Sequence, residues 1–537
     1  MQRFPVRRQP PAGHRMGIQL LLAAACIFAF ACSYLPKNIA RTPATALELR
    51  ADETKFGRML APDMKKHPGL SGFYIVPSDM DAFIARVALI DHAERSLDLQ
   101  YFEVDEGDVT VGILVERLLN AADRGVRIRL LFDDYGTTVS DAVMWLLAGH
   151  PNIQLRLFNP VKDRTRGFTH SMQIFGSFSD YDHRMHNKSF IVDDTVTIVG
   201  GRNLGDGYFG GSEIYNFADM DVVATGPVVQ EVSNAYDLFW NCRWAIPLEA
   251  LVTKKPDAEG FRKTLAELKE KNLKAKDTRY AVRLKESGFY SQISQGKNPI
   301  HLIWAKGTVL HDMPEKVSED LKDKDPNVYL ATHLRPLIKG TKSEMILVAP
   351  YFVPGKKGLN DFYMLREHGV TVKVLTNSLS STDEVAVHAG YTKYRKPLLK
   401  KGAGLFELRG DPSKGAKQLR SRVMGTSSGG LHAKFYVFDR KSAFIGSRNL
   451  DNRSNRINTE IGIYIESPEI AGQLADLFEV ITKPQSSFTL KLSKDNKLLW
   501  ITEEGGKEVI YDQEPMVSGW TRFTSDFYSV FAPESEL

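Results

Sequence analysis

Along residues 81–95 the apolar positions Phe83, Val87 and Ile90 recur at helical spacing, and residues 96–102 then alternate as a strand does. Residues 111–122 are amphipathic and stop at Arg124 and Gly125, a helix-ending pair, after which 126–132 predict another strand. The same order returns farther along. Residues 343–352 repeat the pattern of 96–102, and residues 369–375 repeat that of 125–131. Gly369 follows Gly125 by 244 residues and His432 follows His186 by 246, a near-constant spacing that marks an internal duplication. Strand and helix alternating in this way predict an α/β fold built from two similar halves. Each half is expected to hold a central, mostly parallel β-sheet flanked by helices, and the halves to pack about a pseudo-two-fold axis.

Reactive side chains ride on this alternation. His186, Lys188, Phe190 and Val192 share one face of a predicted strand, Asp193 and Asp194 turn the chain, and residues 196–199 form the next strand up to Gly200 and Gly201. A tight turn there can return Asn203 to the histidine. The second half reads the same with His432, Lys434, Asp439, Gly446, Ser447, Arg448 and Asn449. Both copies have the form His-x-Lys-x4-Asp-x6-Gly-[Gly/Ser]-Arg-Asn. One copy would be weak, but two with the same tail are hard to explain by chance or core packing.

Two imidazoles, two ammonium groups and two amides suit a phosphodiester. One imidazole can attack phosphorus and carry the phosphoryl group, and the other can protonate the departing alkoxide. The lysines and asparagines can hold the non-bridging oxygens, so no metal and no other cofactor is called for.

The paired motif resembles the phospholipase D superfamily. Residues 204–209, 217–221, 387–391 and 458–462 look like its bacterial cardiolipin synthase C branch, and the similarity runs roughly over residues 55–530. The resemblance implies a phosphatidyltransferase acting through a covalent phosphohistidine, with cardiolipin the expected product from phosphatidylglycerol and a second phospholipid such as phosphatidylethanolamine. It also implies His186 as nucleophile and His432 as general acid and later base, although the residues alone leave the reverse order open. Lys188, Lys434, Asn203 and Asn449 would grip the phosphate. Asp219 and Glu460 match the family's acidic positions and are the candidates to fix the histidine tautomers, with Asp221 competing for the role of Asp219. His388 lies in a branch-specific segment and is a candidate substrate-binding residue at the pocket mouth. Asp193 and Asp439 are read as structural, since carboxylates at strand ends bind backbone N–H groups. Arg202 and Arg448 are read as anchors.

Composition changes this picture little. Hydrophobic residues at 43% and charged residues at 25% are globular values, and the net charge of +5 fits an anionic substrate or membrane surface without marking a nucleic-acid binder. Residues 1–35 resemble an export signal: Arg3, Arg7, Arg8 and Arg15, then an apolar core at 20–30, then Cys32 after Ala31. Cys32 is the candidate lipidated residue; an uncleaved anchor and full secretion are the alternatives, and each puts the body in the bacterial envelope, with the periplasmic side expected. Cys242 alone remains in the body, so no disulfide can form within it.

The expected boundaries are a signal or anchor at 1–35, a connector at 36–75, the first repeat at 76–250, an inter-repeat helical segment at 251–325, the second repeat at 326–485, and small strands with an amphipathic helix at 486–537. Trp520, Phe523, Phe527, Val530 and Phe531 recur at helical spacing, for which core packing is expected ahead of insertion into a bilayer interface. Rival functions are hydrolysis to phosphatidic acid, a nuclease with the same residues, and a non-catalytic lipid-binding scaffold. A nuclease should carry a strongly basic face with stacking aromatics, against which the mild charge and the export signal argue, and a scaffold predicts decay of at least one His or Lys, yet both sets are whole. No obligate protein partner can be inferred.

Overall fold

The computed structural model describes residues 39–50, 52–160, 182–212, 215–252, 254–274, 279–318, 325–410 and 429–531. The expected signal, with Cys32, lies outside these residues.

The first half contributes β1 (Ser71–Val76), β2 (Ser96–Tyr101), β3 (Arg127–Asp133), β4 (Ile153–Phe158), β5 (Ser189–Val192), β6 (Val196–Gly200), β7 (Asp221–Thr225) and β8 (Ala245–Pro247). After β9 (Ile303–His311) the second half contributes β10 (Glu344–Val348), β11 (Thr371–Asn377), β12 (Gly404–Leu408), β13 (Phe435–Phe438), β14 (Ser442–Gly446) and β15 (Ile461–Glu466), followed by β16 (Ser487–Leu492), β17 (Leu498–Glu504) and β18 (Lys507–Tyr511). The first half pairs in the order β8-β4-β3-β2-β5-β6-β7-β1. The second pairs as β9-β15-β14-β13-β10-β11-β12-β16-β17-β18. The two orders correspond strand for strand through β16, with β9 in the place of β1. These two strands then pair with each other, Ser71 opposite Ala305 and Phe73 opposite Ile303, and join both sheets into one. An antiparallel pair of equivalent strands at the junction is what a two-fold relation between halves requires.

The α/β class with two like halves stands, but the sheets are mixed and not mostly parallel. Parallel pairing is confined to β2-β3-β4 and β10-β11-β12. Among the described residues every other pairing between these strands is antiparallel, and isolated parallel bridges such as Met185 with Thr459 and Ala218 with Leu431 lie outside them. The reason lies in the motif, whose turns at Asp193-Asp194 and Asp439-Arg440 adopt positive φ and fold β5-β6 and β13-β14 into tight hairpins. The expected connector at 36–75 also needs correction: it contains a helix, Lys55–Lys66, and the sheet strand β1. Helices fill 258–274, 279–286 and 288–294, yet β9 within the 251–325 segment belongs to the second sheet.

Core clusters cover the sheet faces. One packs Phe73, Tyr236, Phe239 and Trp240 of the first half with Ile346, Phe435, Ile463 and Phe478 of the second, so the halves share a core. The aromatic stripe near the C-terminus does not join it. Trp520, Phe523 and Phe527 of the helix Gly519–Phe531 are exposed, which overturns core packing for these three residues.

Candidate active site

The strands β5 and β13 start immediately after the two histidine segments, and each segment is stitched to the opposite half by backbone. The His186 N–H donates to Thr459 O (2.9 Å), and the Thr459 N–H donates to Arg184 O (2.9 Å). In mirror fashion the His432 N–H donates to Ala218 O (2.8 Å), and the Ala218 N–H to Gly430 O (2.8 Å). Thr459 and Ala218 each precede an acid. His186 Nδ1 therefore lies 2.8 Å from Glu460 Oε2, and His432 Nδ1 lies 2.5 Å from Asp219 Oδ2. A carboxylate on Nδ1 fixes the proton there and leaves Nε2 as the free nitrogen. Asp221 is occupied elsewhere, in buried ion pairs with Arg86 (3.0 Å) and Arg202 (3.2 Å).

Local sequence explains the acids' approach. A side chain at position 201 would collide with the Asp219 carboxylate, so Gly201 is required where it stands. The matching Ser447 instead donates its hydroxyl to Glu460 Oε2, while Ser454 Oγ donates to Oε1 (2.7 Å). The longer Glu leaves room for the serine.

Lys188 Nζ donates to His186 O (2.8 Å) and Lys434 Nζ to His432 O (2.5 Å), so each lysine is tied to its own histidine segment. All four side chains are buried, and each imidazole feels both ammonium groups. Burial, aided by both lysines, holds His186 well below the usual imidazole range. Burial and Lys434 bring His432 down to about 4. Burial likewise lowers Lys188 to about 7 and Lys434 to about 8. The two acids diverge. Burial raises Glu460 to about 7. Asp219 is buried too, but His432, Lys434 and Arg202 outweigh that cost and hold its carboxyl below the usual range.

The asparagines differ as well. Asn203 is fixed at both ends: its Oδ1 accepts from the Glu103 N–H (3.3 Å), and its Nδ2 donates to Glu103 Oε2 (3.0 Å) and Tyr208 Oη (3.0 Å). Asn449 Oδ1 is buried without a hydrogen-bond partner among the described residues, which leaves it open to a bound molecule. Aromatic rings rim the site: Phe102 stands edge-on to His186 (5.2 Å), and Tyr208 (5.2 Å) and Phe217 (5.1 Å) pack on His432.

Several residues lie apart from this set. His388 is buried in an ion network, where Nε2 accepts from Arg395 (2.8 Å) beside Glu514. Asp193 accepts from the N–H groups of Glu94, Arg95 and Ser96, and Asp439 from those of Lys342, Ser343 and Glu344. Arg202 donates to the carbonyls of Val76, Pro77 and Asp219. Sequence reasoning missed Glu103, whose position just beyond the carboxyl end of β2 was the available signal, since sites in α/β sheets gather there. It also missed Asp312, which accepts from the Glu460 N–H (2.8 Å) and pairs with buried Lys316 (2.9 Å).

Comparison with known proteins accords with this geometry. The family model described as "Cardiolipin synthase, PLD-like domain" matches residues 87–240 and again 334–482. "Cardiolipin synthase C" of Escherichia coli K12 is 36% identical over 473 residues, covering 88% of this chain and 98% of that protein. An uncharacterized protein of Helicobacter pylori strain 26695 is 30% identical over 502 residues, covering 93% and 96%. Among solved structures, the phosphatidylserine synthase of Haemophilus influenzae superposes with a TM-score of 0.52 at 13% identity over 81% of this chain and 92% of that one, a likeness of fold. With both repeats matched and a relative aligned along nearly its whole length, the chain belongs to the cardiolipin synthase family of the phospholipase D superfamily.

Proposed function

We propose that this protein is a phosphatidyltransferase that works through a covalent phosphohistidine and makes cardiolipin from phosphatidylglycerol and a second phospholipid. The observation that carries this reading is the crossed pairing of His186 with Glu460 and His432 with Asp219, which gives one buried site two oriented imidazoles. His186 Nε2 attacks phosphorus, the P–O bond to the departing alcohol breaks, and the alkoxide takes its proton from His432. The acceptor hydroxyl then attacks phosphorus, His432 takes its proton, and the P–N bond breaks.

The electrostatics favour this division of labour. Anionic Asp219 stabilises an imidazolium at His432, whereas Glu460, raised to about 7, does so less at His186. A phosphodiester anion between Lys188 and Lys434 offsets the positive charge that depresses His432 and so restores its capacity to donate. The rim of Phe102, Tyr208 and Phe217 limits water at the imidazoles, which favours transfer to a lipid hydroxyl over hydrolysis. No helix among the described residues is long and apolar enough to cross a membrane. Attachment to the bacterial envelope, with the body in the periplasm, is assigned to residues 1–35 through Cys32 or an uncleaved anchor.

Purified protein incubated with phosphatidylglycerol and phosphatidylethanolamine, with and without EDTA, should yield cardiolipin by mass in both cases. Phosphatidic acid alone would make it a hydrolase. Unchanged lipid with degraded DNA would overturn the proposal.

A further inference from the structure

The helix Gly519–Phe531 inverts the usual placement of side chains. Trp520 is 76% exposed, Phe523 59%, Phe527 50% and Tyr528 39%, whereas Ser525 is buried. Positions 520, 523 and 527 form one stripe, and 525 falls on nearly the opposite side. The Trp520 and Phe523 rings stack at 5.5 Å, so the stripe is a continuous ridge.

This helix is not loosely hung. It packs along the helix Val385–Lys400, and the loop before it is pinned by buried charge. Arg395 joins Glu514 and Glu407 (2.8 Å), Trp500 Nε1 donates to Glu407 (2.9 Å), and Arg522 Nε donates to Glu514 O (3.1 Å). Polar groups thus hold the helix from within while its aromatic side faces out, an arrangement that costs free energy in water and is recovered only against an apolar partner.

Two observations identify the partner. Trp520 and Tyr528 expose an indole and a phenol, rings with a polar atom that settle at headgroup level, and Phe523 and Phe527 add apolar surface beside them. Lys393, Lys396 and Lys400 lie exposed along one side of the supporting helix, spaced to meet anionic headgroups. The segment that leads into that supporting helix also starts at the site. Asn377, at the end of β11, bonds both backbone groups of Leu431 beside His432 (2.9 Å each), and the chain continues from it into Val385–Lys400.

We propose that Gly519–Phe531 docks in the interfacial plane of an anionic phospholipid bilayer, seating Trp520, Phe523 and Phe527 among the headgroups and holding the site against the membrane. The docking rests on the reading of the substrate as phospholipid only in its benefit to turnover, and its test separates the two. The protein lacking residues 1–35, so that neither Cys32 nor an anchor holds it to lipid, and the same protein carrying Trp520→Ser/Phe523→Ser/Phe527→Ser are compared for binding to vesicles of phosphatidylcholine and phosphatidylglycerol in equal parts. Turnover is measured both on these vesicles and on monomeric short-chain phosphatidylglycerol. The expected result is vesicle binding and vesicle turnover each down about tenfold or more, with turnover of the monomeric lipid unchanged. Brominated phosphatidylcholine should quench the unaltered protein, and Trp520→Phe should remove that quenching, a readout that holds even if the triple variant misfolds. Equal vesicle binding by both proteins, or no quenching of the unaltered protein, overturns the docking. A ridge that instead drives self-association, lost in the triple variant with vesicle binding intact, overturns it too. Docking without turnover of either lipid would sink the phosphatidyltransferase reading alone.

Discussion

His186 Nδ1 meets Glu460 Oε2 at 2.8 Å although the two residues are 274 positions apart and belong to different halves. His432 meets Asp219 in the reciprocal sense across 213 positions. Neither half alone completes a histidine–carboxylate unit, and the duplication functions only when folded together.

This crossing predicts the behaviour of variants. Glu460→Gln should lower kcat by roughly 10²–10⁴-fold, the range for losing a histidine's orienting acid. Adding Glu460→Gln to His186→Ala, which already removes the nucleophile, should cost little more, because the two act as one unit. Single-turnover lipid assays of both single variants and the double would decide; fully additive losses would mean that the two residues act independently.

Buried Lys188 and Lys434, at about 7 and about 8, predict a pH dependence. As pH rises through these values the ligand-free site loses positive charge, so affinity for a phosphodiester anion falls. KM should rise between about pH 7 and pH 9 while kcat changes less. Initial rates at constant ionic strength test this, and a KM that stays level across that range contradicts it.

Glu460 predicts a stability effect of opposite sense to its effect on turnover. Burial raises it from 4.5 to about 7. Between these values the folded protein keeps a proton that the unfolded chain has released, so this contribution is full below 4.5 and lost as pH rises through 7. Glu460→Gln has no such dependence and should gain stability relative to the parent over that window, on the order of 1–3 kcal/mol. Urea midpoints at pH 4.5 and pH 8 measure it; a constant difference between the two proteins would refute it.

The motif aspartates predict loss of fold ahead of loss of chemistry. Asp193 is fully buried and accepts three backbone N–H groups, while Asp439 serves three in a more open setting. Asp193→Ala should cost about 2–4 kcal/mol and Asp439→Ala about 1–2 kcal/mol, since water can replace the exposed carboxylate. Thermal melts, with activity per folded molecule alongside, check both; a reversed order would show that burial is not what sets the cost.

Much of the site could be read from the chain because its parts are local. His186 and Lys188 sit two apart, and Gly200 and Gly201 end the next strand; the repeated spacing to His432 and Lys434 announces a second copy. The repeat also conveyed two like α/β halves. It did not convey sheet direction: alternation shows which way a strand's side chains point but not which distant neighbour it pairs with, so the antiparallel seating of β5 on β2 and of β13 on β10 was not legible. The aromatic spacing at 520–527 likewise fixed a helix face and left open what faces it.

The sequence by itself determined the reactive groups, their duplication and the superfamily they resemble, because each of these is written in residue identities at short range. Only the tertiary structure decided that Glu460 serves His186 and Asp219 serves His432, that Asp221 is spent on Arg86 and Arg202, and that Glu103 locks Asn203. Those choices depend on contacts a few ångströms long between segments up to hundreds of residues apart, and such contacts are set by how the two sheets meet at β1 and β9 and by no pattern within either strand.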